Sequence, residues 1–334
     1  MKTYHYYDSP LKIFGLPFFE KNKKLERLPE EVRQQVRSLD FLGRRCPGAR
    51  LCFRTNAVEF TVKITFETFT VDVAMSIFSC QSAAVFVGDR PRARFAGLVN
   101  PPDYNTFAFE KTISKSPEME DVTIFLPRDE IVGDIEITVD DGAEVEAPAP
   151  YQDRKPVLYY GSSITEGGCS SVVSNAYNAI LSNRLNLDYY NFGFSGSAKG
   201  EIEIAQCISG IEMSLFVYDY DHNAPTAEHL KKTHKPFFEC VRRKNPDLPI
   251  IMMSKPAARY SKDDVERRRI IWETYHDALE KGDRNVYFVD GERFYGDHDR
   301  ELCSIDITHP NDIGFLRMAD TLEPIIRELL CLSI

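Results

Sequence analysis

The run Val157-Leu158-Tyr159-Tyr160 is apolar without interruption and stops at once in Gly161-Ser162-Ser163-Ile164-Thr165-Glu166-Gly167-Gly168. A short apolar run ended by glycine and serine reads as a strand buried on both faces, and such strands belong to parallel sheets covered by helices. In those sheets ligands bind beyond the carboxyl ends of the strands, so a serine just past a strand end sits where substrate would lie. A plain Gly/Ser turn explains this stretch equally well when it is taken alone. The remainder of the chain decides between the two.

Downstream, strands alternate with helices. VLYY is followed by a helix near Asn175 to Arg184, DYYNF by IEIAQCI, SLFVYDY by Ala227 to Arg243, and IIMMS by Asp263 to Glu280. VYFVD and a last helix from about Asn311 to Leu330 complete the series. Repeated βα units with right-handed crossovers predict an α/β fold, a flavodoxin-like parallel sheet with helices on both faces.

Upstream the period changes. ARLCFRT, VEFTVKITFET, SAAVFVG, DVTIFLP and DIEITVDDG alternate apolar with polar residues and end in turn formers. About eight strands of this kind, with one helix at most near Pro29 to Arg37, predict an N-terminal β-sandwich, jelly-roll-like, without an evident catalytic cluster of its own. Between the two regions EVEAPAPYQDRKP, residues 144–156, carries three prolines and no periodicity. The expected division is a sandwich over 1–148, a linker over 149–156 and an α/β domain over 157–334.

At 334 residues the chain is long enough for two cores. A net charge of -10 without long basic blocks excludes generic binding to nucleic acid or anionic membranes and favours neutral substrates. The N-terminus MKTYHYYDSPLKIFG has no apolar leader, so the expected location is cytoplasmic. The eight cysteines are scattered, without a C-x-x-C pair or metal spacing, and are expected as mostly buried free thiols.

The parallel architecture gathers four post-strand loops at one edge: Gly161 to Thr165, Gly193 to Gly200, Asp221 to Pro225, and Asp306 to Asp312. Acyl transfer needs a nucleophile, a base, a group orienting that base, and donors for the oxyanion. These loops offer all four. His309 is the candidate base and Asp306, three residues earlier, its orienting acid. The N–H groups of Ser163 and Gly196 and the side-chain amide of Asn223 are the candidate oxyanion donors. Each has a structural alternative: Asp306-x-x-His309 as a cap beside a surface histidine, Asn223 and Gly196 as turn residues. Glu166 reads as a helix-start acid, Asp219 and Asp221 as structural hydrogen-bonding groups rather than metal ligands, and Cys169 as a buried thiol beside the serine turn. Trp272, the single tryptophan, is expected in the core.

Taken together, the four loops resemble the SGNH, or GDSL-like, hydrolases. Gly161-Ser162-Ser163 matches the first block, Gly196 the second, Asn223 the third, and Asp306-x-x-His309 the last. The resemblance covers about residues 156–334 and implies a Ser163-His309-Asp306 triad with Ser163, Gly196 and Asn223 as the oxyanion hole, needing neither metal nor cofactor. Ser162 stands where the family usually has aspartate, which leaves Ser162 as a rival nucleophile, and DYDHNAP departs from the usual third block. The absence of G-x-S-x-G disfavours a standard α/β-hydrolase elbow. IFGLPFF followed by RLP resembles the sandwich of two-domain bacterial carbohydrate esterases. Some members of that group replace the acid with a backbone carbonyl; here Asp306 is retained.

The expected activity is hydrolysis of a short acyl ester, acetyl on a small sugar or oligosaccharide, through an acyl-enzyme. The alternatives are a lysophospholipase or thioesterase with the same triad, and a non-catalytic carbohydrate-binding protein. The sandwich is left with three roles: glycan binding, capping the cleft, or the interface of a homo-oligomer.

Overall fold

The computed structural model describes residues 1–332. Ten strands precede residue 147: β1 Lys2–His5, β2 Lys12–Phe14, β3 Arg50–Thr55, β4 Glu59–Phe66, β5 Ala83–Val87, β6 Arg94–Val99, β7 Ala108–Ser114, β8 Glu120–Phe125, β9 Val132–Val139 and β10 Val145–Glu146. They form two antiparallel sheets, one in the order β1-β9-β4-β7 and the other β10-β3-β8-β5-β6, with β2 also on β3. Alternation closes the space between the sheets: Val62, Ile64, Ile135 and Ile137 of one face Leu51, Phe53, Val85 and Ile124 of the other in a single apolar core.

Four short helices interrupt this region instead of one: α1 Phe19–Asn22, α2 Glu30–Gln35, α3 Asp40–Arg44 and α4 Ile77–Cys80. Only α2 was expected, and Pro29 stands at its N-cap. Helices of four to six residues are too short to show a 3.6-residue period, so sequence does not reveal the others. Their burial is consequential. Leu28, Val36 and Leu39 lie in the core of the α/β region, not in that of the sandwich.

The α/β region has five parallel strands, β11 Val157–Gly161, β12 Tyr189–Gly193, β13 Leu215–Asp219, β14 Ile250–Met253 and β15 Val286–Val289, in the order β12-β11-β13-β14-β15. Counted from β11 this is 2-1-3-4-5, the doubly wound order of flavodoxin-like folds. Helices α7 Ile202–Ser209, α8 Ala227–Lys244 and α9 Lys262–Glu280 cover the face carrying Leu158, Tyr160, Phe216 and Tyr218. The other face, with Tyr159, Val217 and Ile251, packs on α6 Tyr177–Leu185 and α10 Asp312–Leu329. That second core also takes in Ala84 and Phe125 of the sandwich, so apolar contact joins the two regions.

The proline-rich stretch is not a loose tether. Val145 and Glu146 pair with β3, Ala149 donates to Asp121 Oδ1 (2.8 Å) and accepts from Arg90 (2.7 Å), and Tyr151 is buried edge-on to Phe14. Proline removed the periodicity without removing the packing. Trp272 also departs from expectation: it is 44% exposed and stacks on His276, because α9 buries the stripe of Arg267, Ile270, Ile271, Thr274 and Ala278. Among the described residues no helix is long and apolar enough to cross a membrane. All eight cysteines are free, with Cys46, Cys52, Cys80 and Cys303 buried.

Candidate active site

At the carboxyl edge of the sheet β11 ends at Gly161, and the chain turns into the single-turn helix α5, Ser163–Glu166. Ser162 is the N-cap: its Oγ accepts the N–H of Ile164 (3.1 Å), and the residue is wholly buried. Ser163, one residue on, is half-buried, and its hydroxyl donates to Nε2 of His309 (2.8 Å). The two serines are thus separated by geometry. Ser162 is spent on the helix start, and Ser163 faces the imidazole.

His309 and Asp306 lie in the loop before α10. Nδ1–H of the His309 ring donates to Asp306 Oδ2 (2.7 Å), while Oδ1 accepts the backbone N–H groups of Thr308 (3.0 Å) and His309 (2.7 Å). Partial burial works to raise the Asp306 carboxyl, but the donors from His309 outweigh it and hold the group below its ordinary value. With an anionic acceptor at Nδ1, the proton resides there and Nε2 is left free to accept from Ser163. Ile307, between them, has φ 74°, a left-handed backbone that β-branched residues rarely adopt, so the tight loop carries local strain.

The second loop brings Gly196 to the same place. Its φ of 65° suits glycine, and a Cβ there would meet nothing within 4 Å. The amide of Asn223 donates to Phe194 O (3.0 Å), leaving its second N–H for a ligand. Neither Ser163 N–H nor Gly196 N–H has an intramolecular acceptor among the described residues. The expected triad and oxyanion residues therefore converge around one cavity of about 420 Å³, which Ser163, Gly196, Asn223, Asp306 and His309 all line.

The sequence does not announce the side of the cavity wall that comes from the sandwich. Asp72, Ala74 and Met75, from the loop between β4 and β5, close it from the sandwich side. Met75 Sδ accepts from Cys169 N–H (3.2 Å) and Arg128 Nη2 (2.9 Å). An adjoining cavity of about 330 Å³ shares Asp72, Met75 and Ser195 with the first and is otherwise lined by Arg45, Thr70, Val71, Val73 and Asp129. Two buried arginines tie the sandwich to the loops. Arg128 donates to Gly167 O, and Arg27 donates to Gly193 O and to Glu166 Oε1 (3.3 Å). Burial draws the Arg27 guanidinium down to about 10, still charged at neutral pH, and Glu166 acts in the opposite sense. A signal existed in the sequence, since Arg27 is the arginine of RLP, but nothing in a local motif announces a partner 139 residues away.

Glu166 is a buried structural acid, in keeping with its non-catalytic reading. Cys169 is half-buried at the cavity wall rather than fully buried, and burial pushes its thiol up to about 11, which disfavours the thiolate at neutral pH. Asp219, Asp221 and His222 form the one cluster of metal-ligating type among the described residues. Asp221 Oδ1 accepts from N–H and Nδ1–H of His222, and Asp219 Oδ2 accepts from the Thr165 hydroxyl (3.1 Å), so hydrogen bonds engage both acids.

A 2-1-3-4-5 parallel sheet behind an antiparallel sandwich, with serine, histidine and aspartate gathered at its carboxyl edge, defines an SGNH-type hydrolase with an N-terminal domain. Residues 154–327 match the GDSL-like lipase/acylhydrolase family, and residues 3–145 match the N-terminus of SGNH-hydrolase-type esterases. The chain belongs to that family and is a carboxylic ester hydrolase of the SGNH type. Similar solved structures share its whole architecture. A protein of Bacteroides ovatus described as a GDSL-like lipase is 23% identical, with TM-score 0.90 over 100% of this chain and 99% of the other. A salicylyl-acyltransferase of a tetracycline biosynthetic pathway is 18% identical, with TM-score 0.78 over 98% and 97%. An acetyl xylan esterase of the rumen bacterium Butyrivibrio proteoclasticus is 14% identical, with TM-score 0.64 over 100% of both. No curated protein matches the chain in sequence.

Proposed function

We propose that the protein is a serine esterase that removes short acyl groups, acetyl above all, from hydroxyls of a sugar or oligosaccharide. The observation that carries this reading is the unbroken line from Asp306 Oδ2 through the His309 ring to Ser163 Oγ, with links of 2.7 and 2.8 Å, on the wall of a cavity. In this reading Ser163 Oγ attacks the ester carbonyl carbon as its proton passes to Nε2 of His309. The oxyanion is held by the N–H of Ser163, the N–H of Gly196 and the free amide N–H of Asn223. Collapse of the adduct expels the sugar oxygen, which takes the proton from His309. Water then attacks the acetyl-Ser163 ester with His309 as base, releasing acetate and restoring the serine. Asp306 stays ionised throughout and orients the ring.

The sugar half of the proposal is supported by the adjoining cavity. Arg45, Thr70, Asp72 and Asp129 offer donors and acceptors beside Val71, Val73 and Met75, a mixed lining that suits the hydroxyls and ring carbons of a sugar. The resemblance in fold to an acetyl xylan esterase agrees with it. We further read residues 1–148 and 157–334 as two domains joined by 149–156, the first lending Leu28, Val36 and Leu39 to the core of the second.

Hydrolysis of para-nitrophenyl esters from acetyl to dodecanoyl, by the wild type and Ser163→Ala, tests the reading. It predicts preference for acetyl and loss of turnover in the variant. Efficiency rising with chain length would favour a lysophospholipase or thioesterase, and a wild type without turnover would point to a binding protein.

A further inference from the structure

We propose that Glu166 is a positioning residue for the oxyanion hole, held in place by Arg27 of the N-terminal segment. The proposal rests on the reading of Gly196 as an oxyanion donor. Gly196 is exposed, and a Cβ there would touch nothing, so no packing fixes its peptide plane directly. Its orientation must come from its neighbours in the chain. Ser195, immediately before it, is anchored twice: its backbone N–H donates to Glu166 Oε2 (2.8 Å) and its hydroxyl donates to the same oxygen. Phe194, one residue earlier, is fixed by its N–H on Gly161 O (2.8 Å) and by its carbonyl, which accepts from Asn223 and closes the turn with the N–H groups of Ser197 (2.9 Å) and Ala198 (3.1 Å). With residues 194 and 195 held, the next N–H, that of Gly196, is aimed by little more than one backbone torsion.

Glu166 is suited to this task by its surroundings. It is 2% exposed, and the chain of Gly193 runs so close that a Cβ there would collide with the Glu166 backbone nitrogen. Its second oxygen, Oε1, accepts from Nη2 of Arg27. A buried carboxylate needs such a partner. Arg27 is in turn saturated: Nε donates to Arg45 O (3.1 Å), Nη1 to Asn191 O (3.3 Å) and Gly193 O, and Nη2 to Leu42 O (2.7 Å), with its face over the Phe194 ring. Three donors on two oxygens require an acceptor at both ends of the side chain, which a carboxylate supplies and a carboxamide does not. Arg27 thereby links the N-terminal segment to the oxyanion loop through Glu166 and Gly193 O.

The test uses the full chain with para-nitrophenyl acetate, comparing Glu166→Ala, Glu166→Gln and Ser195→Ala, together with hydrogen exchange of the peptide covering residues 193–200. In Glu166→Ala, kcat is expected to fall by about tenfold or more while KM stays within about twofold. Glu166→Gln, which keeps one acceptor, falls between it and the wild type. Exchange accelerates in 193–200 and not elsewhere. The proposal is overturned if kcat of Glu166→Ala stays within about twofold of the wild type, or if kcat, KM and exchange across the whole chain change together. Should Glu166→Ala fail to fold, Glu166→Gln and Ser195→Ala carry the same comparison. Should the wild type hydrolyse no ester, the esterase reading fails by itself and exchange decides the anchoring: acceleration confined to 193–200 upholds it, and an unchanged pattern overturns it.

Discussion

Ser162 and Ser163 are neighbours in the chain with opposite duties: the first caps α5 through Ile164 N–H in a fully buried position, and the second donates to His309. Their substitutions should therefore part cleanly. Ser162→Ala removes a cap and is expected to cost about 1 kcal/mol of stability, visible as a lower melting temperature, while leaving ester turnover of the same order. Ser163→Ala is expected to leave stability nearly unchanged and to lower kcat by roughly a thousandfold or more. Turnover surviving in Ser163→Ala but not in Ser162→Ala would reverse the assignment.

Asp306 makes a second separable case. Its Oδ1 is engaged by two backbone N–H groups of the loop and its Oδ2 by the imidazole. Asp306→Asn can keep the loop bonds through its carbonyl oxygen but loses the anionic acceptor that selects the tautomer. A fall in kcat of about 10²- to 10⁴-fold is expected, with melting temperature nearly preserved. Equal turnover in the two proteins would mean that a backbone carbonyl or water orients His309 instead.

The positions of Ser163, Gly196, Asn223, Asp306 and His309 were legible because each follows a strand or precedes a helix whose periodicity is long, and a parallel sheet brings such loops to one edge. The doubly wound order was legible for the same reason. What could not be read was whatever depends on distant partners. Arg27, Arg45 and Arg128 look like ordinary surface arginines in sequence yet are buried. Met75 sits in a loop with no chemical signature and still forms the cavity wall. The short helices α1 and α3 lack the length to show a period, and Trp272 lies away from the buried stripe of α9, where a bulky apolar residue type is a poor guide to burial.

Asp219 provides a test by pH. It is buried at the end of β13, its Oδ1 has no partner among the described residues, and burial, opposed in part by His222, raises the carboxyl to about 6. A folded value above that of the unfolded chain means that the unfolded state ionises first as pH rises. Ionisation therefore favours unfolding between about pH 4 and 6, and the penalty is complete above that window. Asp219→Asn should melt several degrees higher than the wild type at pH 7.5, with the difference vanishing near pH 4. A variant that is less stable at both pH values would show that the carboxylate is paired in solution.

In the proposed reading the alcohol half of the ester rests on the wall that the sandwich contributes through Arg45, Thr70, Asp72 and Asp129. Arg45 is buried at that wall, and among the described residues only two of its N–H donors have acceptors: Nη1 lies 3.5 Å from Asp129 and Nη2 donates to Thr70 Oγ1 (3.2 Å). A guanidinium has five such donors, and unmet ones are costly in a buried setting. Nε is sealed from the cavity, so hydroxyls of a bound sugar would meet the remaining Nη1 and Nη2 hydrogens, with Asp72 accepting at the rim. The phenyl ring of para-nitrophenyl acetate offers no such groups. Arg45→Met and Asp72→Ala should therefore lower the ratio of kcat/KM for acetylated xylobiose to that for para-nitrophenyl acetate, by about tenfold for the arginine and less for the exposed aspartate. A ratio unchanged in both variants would place the sugar elsewhere and leave the sandwich a purely structural role.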